Sequence, residues 1–235
     1  MSRRTLSAFS MFPYFTKSNA KSDEQKRLQG LLYALKNGTQ VTDGRGKHQD
    51  ATKWFADLVR DEVGSHVPVE FLDKEVFVVP MPTSAVTAAP PSRGAWPMFD
   101  VAMRWDEAKV VAGAGPVLLR KSAVQKSHAV SSDKRASVET HATSVSVDLK
   151  MVPRGCAITI LDDVVSSGTN VMGATVALRR GGFTGEVRVM TATHTVSADY
   201  AGRDIVSAKS LIVWLEGRKE RAWRPSEEIE FVSWK

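Results

Sequence analysis

Asp162 and Asp163 stand side by side after the apolar run Ala157-Ile158-Thr159-Ile160-Leu161, and Val164-Val165-Ser166-Ser167-Gly168-Thr169-Asn170 follows them directly. Two neighbouring ionised carboxylates repel, so a site that keeps both needs hydroxyl donors or a cation to offset their charge. A vicinal diol supplies such donors. The next residues suit a different group. Ser166, Ser167 and Thr169 bring hydroxyls, Gly168 permits a tight turn, and the helix expected from there to Arg180 starts with unpaired N–H groups. A helix start favours an anion by about 0.3–1 kcal/mol, and a phosphate adds charge-assisted hydrogen bonds. A diol on the carboxylates and a phosphate on the loop describe a 5-phosphorylated ribose. The plainer alternative is a strand end followed by a serine-capped helix.

Such a constellation needs a parallel sheet whose strands end on one crevice. Val76-Phe77-Val78-Val79, closed by Pro80 and Pro82, has the apolar, β-branched character of a buried strand, as do Val117-Leu118-Leu119, Ala157–Leu161 and Val187–Met190. Helical patterns over Trp96–Val111 and Gly168–Arg180 separate them, so the centre reads as a βαβ succession: an α/β fold with a mostly parallel, helix-flanked, Rossmann-like sheet. Upstream, Leu28, Leu31, Leu32 and Leu35 have helical spacing, with Ser22 as N-cap and Asn37-Gly38 as stop. Ala51, Trp54, Phe55, Leu58, Val59 and Val63 repeat that spacing up to Gly64, with Gly38 to Gly46 as a loop between. Residues 1–21 read as an amino-terminal arm and 22–235 as one domain. Ser122–Ser146, within a flap spanning about 120–148, is too polar and too long for a passive connection. Ile229–Ser233 alternates and suits an edge strand.

At 235 residues, 43% hydrophobic and 25% charged, the chain is long enough to bury one sizeable core. It holds no apolar run near the roughly 20 residues that cross a bilayer, so no membrane partner is expected and a cytoplasmic location is. One cysteine, Cys156, excludes an internal disulfide, and the five histidines form no metal-ligand spacing. The net charge of +6 favours an anionic partner without choosing between phosphorylated small molecules and nucleic acid. No nucleic-acid motif is present: Arg218, Lys219, Arg221 and Arg224 beside Trp214 and Trp223 come nearest, and a solvated face explains them as well.

The order of strand, acidic pair and phosphate loop resembles the signature of the type I phosphoribosyltransferases. Leu35-Lys36, Val78-Val79-Pro80-Met81-Pro82, Arg93-Gly94, and Leu119-Arg120 followed by Gln125 and Arg135 are similar to positions of the ComF-like branch of that family. The likeness covers roughly 28–196. It departs in three places: one cysteine leaves no Cys-rich amino-terminal module, Trp96-Pro97 stands where Asn-Gln is expected, and Asn170 replaces a frequent Thr.

The resemblance implies a flexible hood or flap and 5-phosphoribosyl 1-pyrophosphate as donor, with Mg²⁺ carried on it and no direct protein ligands. Pyrophosphate is displaced by a small-molecule nitrogen acceptor. Asp162 and Asp163 become the catalytic diol-binding pair, and Val165, Ser166, Ser167, Gly168, Thr169 and Asn170 the 5-phosphate loop. Met81, Pro82, Thr83, Ser84 and Arg120 face the pyrophosphate, and Lys134 and Arg135 close from the flap. Arg120 with Lys121, and Lys134 with Arg135, are equally readable as solvated charges, and His194 as an interior histidine rather than an acceptor-pocket residue. A donor-sensing binding protein without catalysis, or a subunit associated with DNA uptake, is the alternative to the enzyme. A homodimer is left open.

Overall fold

The computed structural model describes residues 3–14, 22–42, 46–85, 91, 94, 96–124, 136–166, 168–195, 207–215 and 223–229. Strand β1 (Arg3–Tyr14) leads into helix α1 (Asp23–Asn37). Ser22 caps α1 in a reciprocal capping box with Gln25, and Gly38 closes it. A hairpin of β2 (Gln40–Thr42) and β3 (His48–Asp50) precedes α2 (Ala51–Asp61), which Asp50 caps. Strand β4 (Val76–Pro80), helix α3 (Pro97–Glu107) and the short strand β5 (Gly113–Ala114) follow. The chain continues with β6 (Leu118–Arg120), α4 (Val138–Thr143) and β7 (Val145–Val147). After them come β8 (Ala157–Val165), α5 (Thr169–Arg180), β9 (Val187–Thr195), β10 (Ser207–Leu215) and β11 (Trp223–Ile229).

The main sheet has the order β11-β10-β1-β9-β8-β4-β5. From β1 to β5 all neighbours are parallel, which gives a central five-stranded parallel sheet, while β10 and β11 continue it antiparallel. Residues alternating along β4 fill its two faces. Val76 and Val78 join Leu28, Leu35, Phe55, Val101 and Trp105 in one core, under α1, α2 and α3. Phe77 and Val79 join Ile158, Ile160, Val171, Leu178 and Val138 in the other, under α4 and α5. Helices on both faces explain why β4 is buried at every position and therefore reads as a continuous apolar run. Among the described residues no helix is long and apolar enough to cross a membrane.

Several elements differ from the sequence reading. The segment taken as an arm is, over Arg3–Tyr14, a strand inside the sheet, paired to β9 on one side and β10 on the other. Leu6 and Ala8 fill one core and Phe9 and Met11 the other, so no polar alternation marks it as a strand. The supposed loop from Gly38 to Gly46 contains β2. Val117–Leu119 shifts to Leu118–Arg120 and pairs antiparallel with β7 in a separate ribbon, outside the main sheet. The stretch read as a flap holds α4 and β7, while residues 125–135, including Gln125, Lys134 and Arg135, lie outside the described residues, as does Arg93. The edge strand falls earlier than expected, at Trp223–Ile229, and residues 230–233 lie outside the description.

Candidate functional site

From β4 the chain passes through α3 to β5 on one flank, whereas β8 and then β9 lie on the other. The order of the parallel strands therefore reverses between β4 and β8, and in an open parallel sheet a ligand crevice forms outside the carboxyl ends of the strands at that point. Those ends carry Met81 to Ser84 and Asp162 to Gly168. Register brings them together: Pro80 pairs with Leu161, and the Met81 N–H donates to the Leu161 carbonyl at 2.8 Å.

Strand β8 runs on through Val165, so the acidic pair lies within the strand. Asp162 follows Ile158 and Ile160 toward the α5 face, where the Asn170 Nδ2 donates to its Oδ2 at 3.4 Å. The Asp163 Oδ2 lies 3.6 Å from the Lys36 Nζ at the end of α1, and its carboxyl also comes within reach of that of Asp162. The Asp163 N–H donates to the Asp162 Oδ1 at 2.9 Å, and the Val164 N–H to the Asp163 Oδ1 at 2.8 Å, so backbone fixes both carboxyls. Asp162 keeps some exposed surface as a residue. Its carboxyl lies deep enough that burial, and then the charge of Asp163, hold it well above the usual carboxylate range. Lys36 entered the sequence reading only as part of a resemblance, and its meeting with Asp163 is a tertiary fact.

Helix α5 begins with Gly168 in the left-handed region, φ 75°, and no side chain caps it. A residue with a Cβ is strained there, and the uncapped first turn suits an external acceptor. Ser166 is exposed beside it, Thr169 is half-buried, and Ser167 lies outside the described residues. Val165 is 2% exposed and packs in the α5-side core, so only its backbone can meet a ligand. The Asn170 Oδ1 is buried without a partner, although its amide nitrogen reaches Asp162.

On the β4 side, Met81 has spent its N–H on Leu161 and Pro82 has none, which leaves Thr83 and Ser84 as the amide-bearing residues of that loop. Arg120 is 2% exposed and thus not a solvated strand-end charge, whereas Lys121 is exposed. Its Nε donates to the Thr83 carbonyl at 3.1 Å and a terminal nitrogen donates to the Ser144 Oγ. Burial lowers the Arg120 pKa, and the nearby Asp162 charge opposes that shift. Arg120 therefore braces the Thr83 loop from beneath and shares a local field with Asp162. Burial, and then Arg120, push His141 down to about 4, so this α4 histidine is neutral near pH 7. His194 is also near 4, lowered by burial, and its Nδ1 lies 3.1 Å from the Ser10 Oγ. It is an interior histidine.

A mostly apolar groove opens between α1 and the ends of β8 and β9. Leu32, Val164 and Ala192 form its floor, and Tyr33, Lys36 and Asp163 stand at its rim. No sequence signal pointed to it, because its walls come from three separate segments. Among the described residues no group of three or more His, Cys, Asp or Glu side chains is placed to hold a metal ion. No family model matches the chain, and no curated protein does.

Proposed function

We propose that this protein is a phosphoribosyltransferase of the type I, ComF-like kind. It binds 5-phosphoribosyl 1-pyrophosphate with Mg²⁺ and passes the phosphoribosyl group to a nitrogen acceptor, releasing pyrophosphate. The observation that carries the reading is the meeting, at the reversal of strand order, of the acidic pair on β8, the uncapped start of α5 and the Thr83 loop after β4. The uncapped helix start suits the 5-phosphate. The acidic pair suits the ribose hydroxyls, which donate to carboxylates whose mutual repulsion they relieve. Thr83 and Ser84, with Arg120 beneath them, suit the pyrophosphate.

Mg²⁺ would offset the charge of the leaving pyrophosphate. In this reading the ion arrives held by the donor's oxygens and water. The Val124 N–H donates to the Ser84 carbonyl at 3.0 Å and ties the residues after β6 to the Thr83 loop; the reading assigns the exclusion of water from C1 to a flap that follows.

Calorimetric titration of the pure protein with 5-phosphoribosyl 1-pyrophosphate and Mg²⁺ tests this, beside the Asp162→Asn, Asp163→Asn double variant. The reading requires saturable binding that the variant loses by at least about tenfold while its melting curve stays cooperative. No binding by the intact protein overturns it.

A further inference from the structure

We infer that the Asn170 side chain is a positioning residue for the ribose and not a phosphate ligand. From the first turn of α5 it holds the Asp162 carboxyl that meets the diol, and so sets how strongly the protein prefers a sugar bearing both hydroxyls. The inference rests on the donor reading above and adds to it a residue that decides specificity.

The resemblance counts Asn170 in the 5-phosphate loop, at a place where Thr is frequent. The structure turns its carboxamide elsewhere. The Nδ2 donates to the Asp162 Oδ2 at 3.4 Å, and the Oδ1 is buried without a partner. A phosphate accepts hydrogen bonds, so the Oδ1 offers it only a second acceptor, while the amide donor is turned to Asp162. What Asn170 can give a phosphate is its backbone N–H, which any residue but proline supplies at a helix start.

For Asp162 the carboxamide matters more. Its Oδ1 accepts from the Asp163 N–H at 2.9 Å, and its Oδ2 from Asn170. The nearby Arg120 directs its bonds to Thr83 and Ser144 instead. Burial and the charge of Asp163 both favour the neutral carboxyl, and the bond from Asn170 works against them. An ionised oxygen that holds one protein donor keeps a lone pair for a sugar hydroxyl, whereas a protonated one presents a hydrogen. At 3.4 Å the contact is long, and it tightens when a hydroxyl draws the carboxyl into its charged form. A threonine hydroxyl, one bond closer to the backbone than the amide nitrogen, falls short of that oxygen.

The test titrates the full chain, with Mg²⁺, with the unreactive carbocyclic analogue of 5-phosphoribosyl 1-pyrophosphate and with its counterpart lacking both diol hydroxyls. The ratio of the two affinities measures diol recognition alone. In the wild type the diol should be favoured by about tenfold or more. Asn170→Leu keeps the shape without the amide, and Asn170→Thr places a hydroxyl in the loop. Both should bring the ratio within about threefold, with the diol-free compound held within about twofold of its wild-type affinity. Asn170→Thr, a small polar residue at a half-buried position, carries the test if Asn170→Leu does not fold. Equal loss of both compounds, or an unchanged ratio, overturns the inference, as does a wild-type ratio near one. Failure of the intact protein to bind either compound, or the donor itself, overturns the transferase reading instead.

Discussion

Arg120→Met removes a guanidinium while keeping an apolar stem of similar length, and the structure sets what that costs. Two charged donors are lost, Nε to the Thr83 carbonyl and a terminal nitrogen to the Ser144 Oγ. Hydrogen bonds from a charged group contribute about 1.5–3 kcal/mol each, so about 3–6 kcal/mol is at stake before any relief. Relief comes from no longer burying the charge, and it is substantial, because burial outweighs the attraction of Asp162 in setting the Arg120 pKa. A net loss of about 1–3 kcal/mol is the expected outcome. With a urea slope of about 3 kcal/mol/M for a chain of this size, the midpoint should fall by about 0.3–1 M. Ser144→Ala, which removes one of the two acceptors, should move it by less. Urea unfolding followed by circular dichroism and tryptophan fluorescence gives both numbers. A midpoint that stays put or rises in Arg120→Met would refute the view that the bonds to Thr83 and Ser144 outweigh the cost of burying the charge.

Two further outcomes follow from the packing. His194 titrates near 4 in the folded protein and near 6.5 in the unfolded chain, so between those values only the unfolded chain takes up the proton. Its contribution is present at neutral pH and lost as pH falls through that window, at about 1.4 kcal/mol per pH unit at most. Asp162, held high, titrates in the opposite sense, so the readout is the stability difference between wild type and His194→Gln by urea unfolding. It should shrink by about 2 kcal/mol from pH 6.5 to 4.5, and a constant difference would exclude a neutral buried imidazole. Gly173→Ala would place a Cβ 2.4 Å from the His141 Cβ and 2.9 Å from the Val138 carbonyl oxygen, where α4 crosses α5. Overpacking at about 1–3 kcal/mol outweighs the roughly 1 kcal/mol that alanine gains in a helix, so the melting temperature should drop by several degrees. A rise would mean the helices do not approach this closely.

What could be read from the chain follows from the range of each signal. Ser22 and Gly38 set the ends of α1 through bonds three to five residues long, and both were legible as caps, whereas the part of Gln25 in the box was not read. The β8–α5 unit was legible for the same reason: its strand, turn and helix are contiguous. Arg120 was identified, but its role was not. A charge that follows two leucines gives no sign that Thr83 and Ser144, from distant segments, will enclose it.

By itself the sequence determined a helix-flanked parallel sheet and one acidic, hydroxyl-rich loop, because periodicity and capping act over a few residues. Tertiary structure decided that residues 3–14 belong to that sheet, since β1 pairs with β9 some 180 positions away, as in Ser7 with Arg188. It decided that Val117–Leu119 leaves the sheet for a side ribbon, a choice made by the pairing of Leu118 with Val147 rather than by hydrophobicity. It also set Asp163 against Lys36 and opened the groove beside them. Such contacts depend on the register between separate segments, and no local pattern encodes that register where both faces of a strand are buried, as in β4.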